Sequence, residues 1–176
     1  MTTAESNMPL TASRAHNESP PQTVSPSDEL KNAQSRYLAG EPRGRVFRDL
    51  VVNSIAQSRR NSRPSILDIG CGHGFMGDTS LQHSIISQGA HAVGIEPDAE
   101  IEVSQVFTEV HRTTFELAPL ASGSIDVAYA TFVLEHVSDP ARFWGKLYEC
   151  LAPGGVFWGF TVDARHPFCF ASQTMQ

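Results

Sequence analysis

Ser65-Ile66-Leu67-Asp68-Ile69-Gly70-Cys71-Gly72-His73-Gly74 is a short apolar run, carrying one acid, that ends in alternate glycines. Aliphatic residues bounded by Pro64 and Gly70 read as a buried strand. Gly70 and Gly72 let the backbone turn tightly and approach a ligand with no Cβ in the way. Gly74 allows close packing where the next helix begins. In an open parallel sheet, ligands collect outside the C-terminal ends of the strands, which is where the loop after the first strand lies.

Downstream, the pattern alternates. A helix is expected over about 75–87, stopped by Gly89, then a strand over 91–97. The segment 98–106 reads as helix, opened by Asp98 after Pro97, and a weakly patterned strand follows over 109–113. Residues 124–130 form a fourth strand. Asp139-Pro140 then opens a helix with an acid as cap and proline in its first turn, its inward face carrying Phe143, Leu147 and Leu151. Pro153-Gly154-Gly155 stops that helix, and 156–162 is a fifth strand. Strands alternating with helices predict an α/β fold: a Rossmann-like parallel sheet of about five strands with helices on both faces.

Upstream, 28–58 is helical. Val46, Phe47, Leu50, Val51 and Ile55 share one face, and Gly40, Pro42 and Gly44 divide the segment into two short helices. Residues 1–27 are mostly Thr, Ser, Asn, Gln and Pro with isolated apolar residues, and are expected to form a disordered tail. The domain plan is therefore a tail (1–27), N-terminal helices (28–63), a ligand-binding domain (64–162) and a short C-terminal segment (163–176).

A formal net charge of −6 weighs against nonspecific nucleic-acid binding. The one basic cluster, Arg59-Arg60-Asn61-Ser62-Arg63, reads as a solvated loop. Cys71, Cys150 and Cys169 have neither metal-ligand nor disulfide-framework spacing, so no metal site is expected. With no apolar run approaching the roughly 20 residues of a membrane span and no signal-peptide pattern, the expectation is a cytoplasmic protein without a membrane partner.

Glycine loops also serve dinucleotides. That fingerprint is Gly-x-Gly-x-x-Gly; here its third position falls on Phe75, and the observed spacing is Gly-x-Gly-x-Gly. A nicotinamide-dependent oxidoreductase is disfavoured on that ground. Glu96 ends the second strand a little over twenty residues after the loop, where a carboxylate would accept hydrogen bonds from ribose hydroxyls.

Taken in order, four motifs resemble class I S-adenosylmethionine-dependent methyltransferases of the small-molecule type. They are Leu67–Gly74, Val93-Gly94-Ile95-Glu96-Pro97, Ser122–Ala128 continuing through Phe132–Pro140, and Leu151-Ala152-Pro153-Gly154-Gly155. The resemblance implies S-adenosyl-L-methionine as cofactor. Gly70, Cys71, Gly72 and Gly74 would pack against it, Asp68 would orient its methionine end and Glu96 would hold the ribose. The adenine would be met by Thr114, standing where the family usually has an aspartate, and by the backbone of Phe115; Glu116 is an alternative partner. Thr131 to His136 would lie near the sulfonium and the acceptor. His136 is the candidate general base, against a reading in which it only orders its loop through hydrogen bonds. Tyr37 would either cover the cofactor or pack a helix onto the domain.

The family's sheet has seven strands, whereas about fourteen residues follow the fifth strand here. The resemblance therefore implies that the C-terminal part of the sheet is missing from this sequence, so that the chain is a fragment of a longer protein, a truncated copy, or one whose exposed fifth-strand edge pairs with itself or a partner. It implies methyl transfer to an unidentified small-molecule acceptor; the alternative is a truncated, catalytically silent module that binds the cofactor.

Overall fold

The computed structural model describes residues 25–58 and 64–162. Its centre is a five-stranded, wholly parallel sheet: β1 (Ser65–Ile69), β2 (His91–Ile95), β3 (Glu109–His111), β4 (Ile125–Thr131) and β5 (Leu151–Phe160), in the order β3-β2-β1-β4-β5. β4 is buried along its whole length, as an apolar strand covered on both faces must be. The strand order reverses beside β1, so the loops after β1 and β4 diverge and leave a crevice between them.

Helices cover both faces. On one, α2 (Arg43–Gln57) and α3 (Thr79–Ile86) set Val46, Leu50, Val51, Ile55, Ile85 and Ile86 against Ile66, Ala92, Val127 and Tyr129. On the other, α4 (Pro140–Cys150) sets Phe143, Leu147 and Cys150 against Leu67, Ile69, Val93 and Ala128. Asp139 caps α4 as expected, its carboxylate accepting from the Arg142 N–H at 3.0 Å. α1 (Pro26–Leu38) is capped by Ser25 and tied to α2 by Gln57 Nε2 donating to Glu29 and by Arg36 bridging Glu41 and Asp49.

The first four strands and the two N-terminal helices follow the sequence reading, with α1 starting two residues inside the expected tail; β5 begins five residues earlier than expected, at Leu151, which belongs to the strand and not to α4. The rest of the tail, the basic cluster at 59–63, Cys169 and the segment 163–176 lie outside the described residues.

Three expectations about helices need correction. α3 starts at Thr79, not Phe75, because Met76 and Gly77 both take left-handed backbone (φ 56° and 82°) and fold Phe75 onto Asp78. Asp78 then caps the helix through the N–H groups of Ser80 and Leu81. The segment 98–106 is not a helix. Its carbonyls are taken from outside instead, Arg112 Nη1 holding those of Asp98 and Ile101, each at 2.9 Å. Finally, α4 ends at Cys150, ahead of Pro153-Gly154-Gly155. Those residues form an irregularity within β5, where the register against β4 shifts between Ile125 and Val127.

Candidate functional site

A cleft of about 490 Å³ opens at the C-terminal ends of β1, β2 and β4. Its floor is the loop Gly70–Gly77, and each of the first two glycines is fixed by what stands over it. A Cβ on Gly70 would lie 2.4 Å from Val133 Cγ2, and its φ of 80° is left-handed. A Cβ on Gly72 would lie 2.3 Å from Ile101 Cγ2 and 2.6 Å from Glu96 Oε2. Gly74 packs on the backbone of Asp78 and Thr79 at the start of α3, so its expected packing role holds although the helix begins later.

Glu96 lines the cleft just beyond β2 and is 6% exposed. Oε2 accepts from the Gly72 N–H and Oε1 from the Asp98 N–H, both at 3.0 Å. Each carboxylate oxygen can accept a second hydrogen bond, so two positions remain for the hydroxyls of a ligand.

Asp68, Cys71 and Gly72 are placed differently from Gly70 and Gly74: none of the three lines the cleft, and Gly72 is covered by Ile101 and the Glu96 carboxylate. The Asp68 carboxylate is buried, with Oδ2 accepting from Gln82 Nε2 at 2.8 Å and from the Tyr129 hydroxyl at 2.7 Å. Burial raises its pKa to about 7, against the pull of those two donors and with help from the nearby Glu96 carboxylate. The Cys71 thiol points into the core, where a Cβ on Gly94 would meet its Sγ at 2.7 Å, and burial pushes it up to about 12. The Cys71 backbone carbonyl accepts from Gln82 Nε2 at 2.7 Å.

Thr114, Phe115 and Glu116 line the cleft after β3, with the Phe115 ring 4.9 Å from that of Phe143. At the end of β4 stand Thr131, Phe132, Val133 and His136. Phe132 has left-handed backbone (φ 58°), held by its N–H donating to Phe160 O at 2.7 Å, and the Arg43 guanidinium sits 5.6 Å from its ring centre. The backbone N–H of His136 closes a turn on Val133 O at 2.9 Å. Among the described residues its imidazole has no hydrogen-bond partner. Tyr37 does not line the cleft; it lies beside Phe47 on the N-terminal helices, ring centres 6.4 Å apart.

Sequence reasoning missed Met76, Ile101 and Val137 as lining residues. Val137 was within reach, being one residue past the segment Thr131 to His136 expected at the acceptor end. Ile101 was hidden by the mistaken helix.

The donor set suits an adenosyl ligand without phosphates. Among the described residues the lining includes two carboxylates, Glu96 and Glu116, and neither Lys nor Arg, which favours a cationic group over a pyrophosphate. The N-terminus of α3, where a pyrophosphate would sit, is already satisfied by Asp78. Ile95, Ile101, Phe115 and Phe143 supply apolar walls for a base.

Comparison with known proteins agrees with this geometry. A family model described as a methyltransferase domain matches residues 39–175. A ubiquinone biosynthesis O-methyltransferase from Hahella chejuensis is 34% identical over 114 residues, covering 60% of this chain and 45% of the relative. One from Ruegeria pomeroyi is 30% identical over 149 residues, covering 83% and 58%. The chain thus spans about half the length of these curated relatives. Among solved structures, a candidate type II methyltransferase from Anaeromyxobacter dehalogenans is 26% identical with a TM-score of 0.50, over 62% of this chain and 45% of that one. A candidate methyltransferase from Bacillus halodurans shares the fold at 14% identity and a TM-score of 0.52, over 70% and 55%.

Proposed function

We propose, from the premise that this chain belongs to the methyltransferase domain family, that it carries out S-adenosyl-L-methionine-dependent methyl transfer to a hydroxyl of a small-molecule acceptor. The observation that carries this reading is the pairing of Glu96 with the Gly72 backbone at the edge of a cleft lined, among the described residues, by no Lys or Arg. The two relatives named for O-methylation support an oxygen acceptor.

The cofactor supplies an electrophilic methyl group on a positively charged sulfur. Gly70, Gly72 and Gly74 give it a close-fitting floor, Glu96 accepts from its ribose hydroxyls, and Thr114, with Phe115 or Glu116, meets its adenine. Thr131 and His136 face the acceptor end. Positioning and exclusion of water supply much of the rate in such a displacement. A hydroxyl acceptor must also lose its proton, and His136, whose ring has no hydrogen-bond partner among the described residues, takes that proton as general base. Asp68 acts on the methionine end only through the loop it supports.

The test is calorimetric binding of S-adenosylhomocysteine, together with S-adenosylhomocysteine formation from S-adenosylmethionine over a panel of phenolic and catecholic acceptors. Binding by the wild type, its loss in Glu96→Ala, and turnover that falls in His136→Ala support the whole reading. Binding without turnover on any acceptor leaves the silent module. No binding at millimolar ligand overturns the cofactor assignment.

A further inference from the structure

Gln82, on α3, is 1% exposed and lies on the side of the glycine loop away from the cleft lining. Its Nε2 stands 2.8 Å from Asp68 Oδ2 and 2.7 Å from Cys71 O. A carboxylate and a carbonyl offer only lone pairs, so the amide must turn its NH2 to both, and both of its protons are spent there. The loop is otherwise tied toward β2, by Gly70 N–H to Ile95 O at 2.8 Å and Gly72 N–H to Glu96. Gln82 is thus the tie from the opposite side. Asp68, anchored by Tyr129 on β4, is the fixed point against which it holds.

We propose that Gln82 is a positioning residue for the cofactor site: by clamping Cys71 O to the Asp68 carboxylate it sets where the Gly70–Gly74 backbone stands in the cleft. The inference rests on the cleft being the S-adenosylmethionine site. Asp68 is faced by Tyr129 from β4, Gln82 from α3, the Cys71 thiol from the loop and the Glu96 carboxylate from beyond β2. Neither of its direct partners is a cation. The Gln82 amide is therefore a principal stabiliser of a buried acid, and leaving such an acceptor unpaired is costly. Because Cys71 O shares that amide, loosening one contact loosens the other.

The experiment compares the full chain with Gln82→Leu and Gln82→Glu, both close in shape to glutamine and both lacking its donors. Two quantities are read: amide hydrogen exchange across residues 70–74 without ligand, and calorimetric affinity for S-adenosylhomocysteine. In Gln82→Leu the loop amides exchange about tenfold faster, as expected for one lost hydrogen bond, while those of β1 and β4 keep their protection. Affinity falls by a similar factor. In Gln82→Glu the bridge is rebuilt only when both acids are protonated, the Asp68 proton going to the introduced carboxyl and that carboxyl's own proton to Cys71 O, so its affinity relative to wild type rises as pH is lowered from about 8 to about 6. A residue that merely fills the core would not show this reversed pH profile. Loop exchange and affinity within about twofold of wild type in both variants overturn the proposal, as does faster exchange spread evenly over the sheet. If Gln82→Leu does not fold, Gln82→Glu decides. If the wild type does not bind the ligand, the cleft reading fails while loop exchange still tests the clamp.

Discussion

Asp68 and Tyr129 stand opposite each other in the β1–β4 register, and the Tyr129 hydroxyl donates to Asp68 Oδ2 at 2.7 Å with both residues shielded from solvent. An acid is thereby held at the centre of the sheet. Its phenol partner resists ionisation, because burial and the Asp68 charge raise the Tyr129 pKa well above its ordinary value. The pair connects the glycine loop to the opposite strand of the crevice, and Phe75, 5.5 Å from Tyr129 in an edge-on contact, extends it into the core beneath α2.

The pH dependence of stability follows from this acid. Its pKa rises from 3.8 to about 7 on folding, so between those values the folded chain holds a proton that the unfolded chain has lost. The stabilising contribution is present below about pH 4 and is lost as pH rises through about 7. The full span corresponds to roughly 4 kcal/mol. Asp68→Asn removes the titration, so its stability relative to wild type should climb between pH 4 and 7 and then level off. Urea denaturation at closely spaced pH values measures this; a constant difference across the range contradicts it.

Gly72→Ala tests the contact between loop and acid. The new Cβ would stand 2.6 Å from Glu96 Oε2 and 2.3 Å from Ile101, so the carboxylate must leave the Gly72 N–H. Affinity for S-adenosylhomocysteine should fall by about tenfold or more, equivalent to roughly 1.4 kcal/mol. Calorimetry on a variant shown to be folded by circular dichroism reads the loss.

Much of this site was legible in the sequence because its chemistry is carried by short, contiguous signals. Alternate glycines after an apolar strand, and an acid at the end of the next strand, point to a cleft with a polar edge, and Gly70, Gly74 and Glu96 line it, with Gly72 behind Glu96 as its hydrogen-bond donor. What stayed hidden depends on residues distant in sequence. Gln82 reads as an ordinary polar position of a helix until α3 is packed against β1, and Tyr129 as one more residue of a buried strand. The false helix at 98–106 failed for the same reason, since Arg112, beyond β3, captures its carbonyls. The late start of α3, by contrast, was readable: Gly77-Asp78-Thr79 is a turn glycine followed by a helix cap.

Thiol chemistry offers a check on the core. Burial raises the pKa of both Cys71 and Cys150, and both side chains are enclosed. The thiolate is the reacting species, so iodoacetamide at pH 8 should leave both unlabelled in the native protein and label both in urea. Peptide mass mapping resolves the two sites. Native labelling of Cys71 would mean that the loop opens far more readily than its ties to Gln82 and Glu96 allow.

Gly145 separates stability from function. It lies mid-way along α4, its φ is not left-handed, and a Cβ there meets nothing within 4 Å. Glycine inside a helix costs about 0.5–1 kcal/mol relative to alanine, because it has more freedom to lose on folding. Gly145→Ala should therefore stabilise the chain by about that amount. Since α4 reaches the cleft through Phe143 and not through Gly145, affinity for S-adenosylhomocysteine should stay within about twofold of wild type, under roughly 0.5 kcal/mol. Denaturant midpoints and calorimetry on the same preparation measure both. A stability gain accompanied by a large affinity change would show that α4 adjusts its packing against Phe115 when the ligand enters, and that the cleft is less rigid than its apolar wall implies.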